Sequence, residues 1–124
     1  MKTITEGLPV PGGHYTPGIE HGGMIYVSGQ LPIIPGEKPG NPGSMEEQTR
    51  QALANFLSVV RAGGGDFDSV IKVTIFIADG GEWGIVNQVF ADTFGSHRPA
   101  RAIVPVSPLH YGYGIEIDGV AFVK

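Results

Sequence analysis

The chain has 124 residues, of which 41% are hydrophobic and 16% charged, a composition typical of one globular domain spanning residues 1–124. It contains no cysteine, which excludes disulfides, thiolate metal sites and cysteine nucleophiles. Its formal net charge of −4 argues against a general nucleic-acid-binding protein, because such proteins usually present a basic patch.

The N-terminal stretch MKTITEGLPVPGG lacks the apolar segment of a signal peptide. No later run approaches the roughly 18 apolar residues of a membrane span. We therefore expect a cytoplasmic protein that does not associate with membranes.

The first third of the chain predicts strands. KTIT alternates as a short strand would, and a Pro/Gly-rich loop follows it. Residues 19–30 predict a hairpin that turns at His21-Gly22-Gly23. Gly29, within the return strand Met24–Gln30, indicates either a bulge with close backbone approach or simply the strand end before Pro32.

A first helix is predicted to begin at Ser44, because Glu47 three residues later completes a capping box. The triple glycine from Gly63 is expected to end it. Its apolar stripe, at the spacing i, i+3, i+4, i+7, consists of Leu53, Phe56, Leu57 and Val60.

The clearest strand is Val70–Ala78, followed by a second helix whose N-cap is Asp79 or the glycines after it. Strict alternation puts one apolar set on the buried face of this strand: Ile71, Val73, Ile75 and Ile77. The second helix is expected to carry one apolar side, which consists of Trp83, Val86, Val89, Phe90 and Phe94.

The last two strands each carry charge within apolar sequence. In Arg101–Val106, period 2 puts Arg101 on the face of Ile103, and in Ile115–Val123 it puts Glu116 and Asp118 on one face. If these strands are neighbours, the charges meet near the strand ends. The pattern alone favours a cross-strand ion pair, and the alternative is an anionic ligand bound by Arg101.

Other residues carry weaker signals. Pro105 removes a ladder donor, which predicts an edge strand or a bulge. The four histidines show no metal-ligand spacing, and no phosphate-binding loop is present, so we expect neither metal nor cofactor. His110 and Tyr111, in the glycine-flanked loop before Glu116, are either ordinary loop residues or part of a pocket.

The element order β, β-hairpin, α, β, α, β, β predicts an α+β domain, a mixed sheet with both helices packed on one face. At this point four segments resemble the RidA (YjgF, formerly endoribonuclease L-PSP) family, in its order and spacing from Pro9 to Phe122. They are MIYVSGQLP, VNQVFADTF, RPARAIVPVSPL and IEIDGVAF.

The resemblance implies a chorismate-mutase-like protomer in a homotrimer, with the helices outside, the sheets forming an inner barrel and ligand clefts between subunits. It implies cofactor-independent hydrolysis of reactive 2-imino or enamine acids, such as 2-iminobutanoate and 2-iminopropanoate, to 2-keto acids and ammonia. The expected partners are therefore this small-molecule acid and two further copies of the chain.

The resemblance also implies residue roles. The family's essential arginine corresponds to Arg101 and its water-positioning glutamate to Glu116, and we expect the two to face each other across the width of a water molecule. Binding positions are implied for Tyr15, Gly29, Asn87 and Ile103, the last of which replaces a cysteine found in many members.

One departure from the family concerns the loop after Leu109, where His110 replaces the usual proline. We expect His110 and Tyr111 to bind substrate and to favour a larger or different acid. This leaves two alternatives, a deaminase of a 2-aminomuconate-like enamine acid and a non-catalytic trimer that binds small carboxylates. RNA cleavage is the weakest candidate, because the net charge is −4 and no His/Lys catalytic pair is evident.

Overall fold

A computed structural model describes all residues from Met1 to Lys124. One six-stranded sheet comprises β1 (Lys2–Ile4), β2 (Gly18–His21), β3 (Met24–Gln30), β4 (Val70–Ile77), β5 (Ala100–Pro105) and β6 (Ile115–Phe122). The helices are α1 (Met45–Ala62) and α2 (Trp83–Phe94). The strand order is β1-β2-β3-β6-β4-β5, with β4 and β5 parallel and all other pairs antiparallel. The predicted α+β class and mixed sheet are confirmed.

α1 forms as its sequence predicts. The Ser44 hydroxyl accepts a hydrogen bond from the Glu47 amide at 3.1 Å, and the Glu47 carboxylate accepts one from the Ser44 amide at 3.2 Å. The helix ends at Gly63, and the following Gly64 has a φ of +96°, a conformation that glycine adopts without strain. The hairpin between β2 and β3 turns at Gly22 and Gly23, both with positive φ, as type I′ geometry requires.

Both helices pack on one face of the sheet, where 20 buried residues form a single hydrophobic core. Neither helix packs on the opposite face, which we call the open face. Several of its large apolar side chains are exposed, and contiguous apolar surface often marks a contact with a partner. They include Tyr26, Ile71, Val104 and Phe122.

A bulge in β4 overturns one prediction, that Ile71 lies on the buried face. Val70 is in register with Ala121 and Lys72 with Val120, so Ile71 is an extra residue with no partner on β6. The insertion turns Ile71 to the open face, where it is 41% exposed, and puts Val70 into the core instead. Simple alternation fails here because it assumes an unbroken ladder.

Trp83 differs from the rest of the predicted apolar side of α2, since this residue is 49% exposed. The other predicted positions of α2 are buried: Val86, Val89, Phe90 and Phe94. Asp79 caps a short 3₁₀ turn (Gly80–Glu82) that leads into the helix, accepting a hydrogen bond from the Gly81 amide at 2.9 Å. Trp83 therefore begins α2 at the margin of the sheet.

β5 lies at the edge of the sheet, paired only with β4, which agrees with the prediction from Pro105.

Neither helix combines the length and the apolar character that crossing a bilayer requires.

Candidate functional site

A bulge where β3 meets β6 brings Gly29 against Glu116. Val27 is in register with Gly119 and Gln30 with Ile117, so Ser28 and Gly29 together oppose the single residue Asp118. A Cβ atom at position 29 would lie 3.0 Å from both Cδ and Oε2 of Glu116. Both features expected of Gly29, the bulge and the close approach, are therefore present, and the missing side chain makes room for a carboxylate.

Tyr15 lies on the other side of the same bulge. The Ser28 hydroxyl donates to the Thr16 carbonyl at 2.6 Å, and the Ser28 amide donates to the Pro17 carbonyl at 2.9 Å, which holds the preceding loop against β3. Together these elements enclose a depression of about 360 Å³. Its lining consists of Tyr15, Thr16, Ile19, Tyr26, Val27 and Ser28.

Glu116 lies in an environment that favours its neutral form. Burial raises the pKa of the Glu116 carboxyl, the nearby charge of Asp118 raises it further, and the neighbouring His110 side chain partly opposes both. Burial also raises the pKa of Asp118, against the opposing effects of Lys72 and Thr74. Two carboxyl groups on one strand therefore hold their protons to higher pH than isolated ones would.

The loop before β6 brings His110 within electrostatic reach of Glu116. His110 and Tyr111 belong to a 3₁₀ turn (His110–Gly112), and their ring centroids lie 3.9 Å apart with the ring planes tilted by 54°. Tyr111 is the only non-glycine residue with positive φ, at +60°, a conformation that is unusual for a bulky side chain. Gly29, His110 and Glu116 thus form one set, which we call the glutamate group; Tyr111 contacts it through His110, and Tyr15 lines the depression beside the bulge.

Arg101 lies in a second group, on the helix-covered side of the sheet. It is in register with the fully buried Val73, and its Nη1 donates to Oδ1 of Asn87 at 3.0 Å. The guanidinium carbon lies 4.8 Å from the Phe90 ring centroid and 5.8 Å from that of Trp83. Trp83, Asn87 and Phe90, the three residues of α2 that contact Arg101, are called the arginine cradle below.

The other predicted binding residue of this group is Ile103. It is in register with Ile75 and packs, partly buried, against the core. Arg101 forms no salt bridge with any carboxylate of the chain. The predicted cross-strand ion pair is therefore wrong, and the guanidinium retains donors for an external anion.

The strand order keeps Arg101 and Glu116 of one chain apart. β4 lies between β5 and β6, and the two side chains project to opposite faces of the sheet, Arg101 beside Val73 and Glu116 beside Phe76 on the open face. Within one chain, the arginine cradle and Glu116 therefore lie on opposite faces of the sheet.

Sequence reasoning missed two contacts of Arg101, those with Trp83 and Phe90. The signal was present, because positions 83, 87 and 90 follow the i, i+4, i+7 spacing of one helix face. An asparagine between two aromatic residues on such a face indicates a polar partner in an otherwise apolar contact.

No three histidine or acidic side chains come together as a metal site would need.

Known proteins resemble this chain along nearly its whole length. The sequence model of the endoribonuclease L-PSP family matches residues 5–123. A RutC family protein of Pyrococcus horikoshii is 37% identical to this chain over 124 residues, covering 98% of both sequences.

Two further proteins connect the likeness to named activities or ligands. The 2-iminobutanoate/2-iminopropanoate deaminase of Mus musculus is 34% identical over 117 residues, covering 94% of this chain and 87% of the mouse protein. The crystal structure of Escherichia coli TdcF with bound serine superposes with a TM-score of 0.90 at 32% identity, covering 100% of both chains. With a family match across nearly its whole length, this chain belongs to the endoribonuclease L-PSP family, the RidA/YjgF family that its sequence motifs resemble.

Proposed function

We propose that the protein hydrolyses 2-imino acids, such as 2-iminobutanoate and 2-iminopropanoate, to 2-keto acids and ammonia without a cofactor. We further propose that each site joins Arg101 of one subunit to Glu116 of its neighbour in a homotrimer. The observation that carries this proposal is a half-buried guanidinium without a carboxylate partner, fixed at the sheet edge by Asn87 at 3.0 Å.

The chemistry of the substrate suits such a cation. A 2-imino acid carries a carboxylate next to its C=N bond, and a planar guanidinium can hold a carboxylate through two parallel hydrogen bonds. This grip fixes the plane of the substrate and hence the position of C2. The serine bound to TdcF also carries a carboxylate directly on a nitrogen-bearing carbon, which supports a site for small amino-acid-like ligands in this family.

Glu116 then acts on water. On the protonated imine, its carboxylate takes a proton from a water molecule as the oxygen adds to C2, which gives a 2-amino-2-hydroxy acid. That proton then passes from Glu116 to the amino nitrogen, the C–N bond breaks and ammonia leaves. The C2 hydroxyl gives its own proton back to the Glu116 carboxylate as the C2–oxygen double bond of the keto acid forms, and Glu116 releases this proton to ammonia or to solvent. The raised pKa of Glu116 suits it to these transfers, because a base works best when its pKa approaches the working pH.

An assay of ammonia and keto-acid release from freshly generated 2-iminobutanoate and 2-iminopropanoate tests this proposal. We expect Arg101→Ala to lower kcat/KM at least about a hundredfold, since the carboxylate loses its positioning contact. Arg98→Ala is the matched control, because it removes the same charge three residues away from an exposed position. A wild-type protein that accelerates neither imine over buffer would contradict the proposal.

A second candidate is a deaminase of a larger, 2-aminomuconate-like enamine acid. The observation that favours it is the contact between the His110 and Tyr111 rings, whose centroids lie 3.9 Å apart, with His110 near Glu116, since aromatic rings suit an extended conjugated acid. A substrate panel that includes such an acid distinguishes the two. A preference for the larger acid that is lost in Tyr111→Gly would favour the second candidate, and glycine is compatible with the positive φ at that position.

A further inference from the structure

Trp83, Asn87 and Phe90 surround the Arg101 side chain from one face of α2. The amide oxygen of Asn87 accepts one guanidinium hydrogen, and the two aromatic rings lie 4.8 and 5.8 Å from the guanidinium carbon. We propose that Trp83 is a positioning residue that orients Arg101 for carboxylate binding, and that its indole ring reports the arrival of the ligand. This inference rests on the proposed function only in taking the anion to be a 2-imino or 2-keto acid.

Phe90 and Trp83, the two aromatic residues of the arginine cradle, differ in how deeply they are buried. Phe90 is 7% exposed and stacks against Phe94 with centroids 4.5 Å apart, so the core fixes it regardless of Arg101. Trp83 is 49% exposed and lies outside the core cluster. A large, half-exposed ring at the start of α2 contributes little to the core, whereas its contact with a cation gives it a defined role.

The orientation of the guanidinium matters because bidentate binding is directional. A guanidinium has five N–H donors in one plane, and Asn87 takes only one of them. One hydrogen bond leaves the plane free to rotate about it. Aromatic rings attract the cation through their negative faces and restrict this rotation, so that two remaining donors point in parallel towards a carboxylate.

The same contact makes the indole ring sensitive to the ligand. A carboxylate that pairs with Arg101 reduces the positive charge facing the ring and brings its own negative charge close. Trp83 is the only tryptophan of the chain, so any change in tryptophan fluorescence arises at this one position.

The test begins with wild-type protein titrated with 2-ketobutyrate, a keto-acid product that is not turned over. We expect tryptophan fluorescence to change with the same midpoint as the heat of binding measured by calorimetry, and both signals to disappear in Arg101→Ala. Calorimetric binding without a fluorescence change would overturn the proposed role of Trp83 and leave the proposed function intact. Absence of binding to the wild-type protein would remove the carboxylate site and both proposals with it.

Variants at position 83 then separate positioning from structure. We expect Trp83→Leu to raise the KM for 2-iminobutanoate and the Kd for 2-ketobutyrate about two- to tenfold, with kcat and the melting temperature little changed. Trp83→Phe retains a ring and should recover most of the affinity. Ile85→Ala, at a 43% exposed position on the same helix, is the control for loss of exposed apolar surface.

Unchanged KM and Kd in Trp83→Leu, or equal losses in Trp83→Leu and Trp83→Phe, would overturn the positioning role. If Trp83→Leu does not fold, the Trp83→Phe affinity and the wild-type fluorescence titration still decide the question.

Discussion

At Gly29, the absence of a side chain decides where the Glu116 carboxylate lies. The bulge at Ser28 and Gly29 presses bare backbone against Cγ, Cδ and Oε2 of Glu116, within 3.0 to 3.3 Å of where a Cβ would sit. The backbone of the bulge therefore limits where the Glu116 side chain can lie. Its own backbone is held on β6, between β3 and β4. Confinement of this kind is what a water-positioning carboxylate needs.

We expect Gly29→Ala to lower kcat/KM for 2-iminobutanoate about ten- to a hundredfold, because the new methyl group displaces the carboxylate. The free energy of unfolding should change by less than about 1 kcal/mol, since the displaced group is the end of a flexible side chain. Steady-state kinetics and chemical denaturation measure the two effects. Gly12→Ala, where an added Cβ meets nothing within 4 Å, serves as the control.

Full activity in Gly29→Ala would show that the position of the Glu116 carboxylate is not critical. An equal loss in Gly12→Ala would instead point to a general effect of glycine replacement in this chain.

Among the elements, β4 shows how one inserted residue changes the assignment of a face. The sequence of this strand alternates along its whole length. In the structure, however, only the residues from Val73 onward lie on the faces that this alternation predicts. The bulge turns Ile71 out and leaves Ile75 fully buried. Two isoleucines that the sequence puts on one face therefore differ in what they contribute to stability.

We expect Ile75→Ala to lower the free energy of unfolding by about 2 to 5 kcal/mol, because it leaves a cavity in the core. Ile71→Ala should cost less than about 1 kcal/mol, since its side chain lies on the open face. Denaturant titration of both variants under identical conditions measures the difference. Equal losses would contradict the bulge and restore the simple alternation.

The sequence predicts the elements well where local signals decide them. The Ser44–Glu47 capping box and the Gly22–Gly23 turn each depend on residues close in sequence, and both are found as expected. The face of Ile71 and the exposure of Trp83 were not predictable in this way, because a bulge and a sheet margin depend on partners far along the chain. Periodicity carries no information about those partners.

The whole molecule separates the two charges that the sequence suggested would meet. Arg101 lies beside Val73 on the helix-covered face, and Glu116 lies beside Phe76 on the open face. In addition, β4 lies between the strands that carry them. Local pattern identified both residues but could not give strand order, which is set by long-range pairing. The exposed apolar side chains of the open face support its burial against another copy of the chain.

If Arg101 and Glu116 act together only across subunits, two inactive variants should restore each other. We expect Arg101→Ala and Glu116→Gln chains, refolded together in equal amounts, to regain about a quarter of the wild-type activity, the share of sites that receive both intact residues. Activity is measured on 2-iminobutanoate, and mass measurement in solution verifies that mixed oligomers form. Each variant refolded alone is the control, and mixed oligomers without recovered activity would place both residues of a working site in one subunit.

The central position of β6 has a consequence for how the protein is made. This strand pairs with both β3 and β4, yet the ribosome synthesises it after all other strands. α1 and the β4-α2-β5 unit depend on nearer contacts and can form first, while β3 and β4 keep unpaired edges until β6 emerges. Unpaired edges promote aggregation, so the nascent chain passes through a vulnerable interval that the finished fold does not reveal.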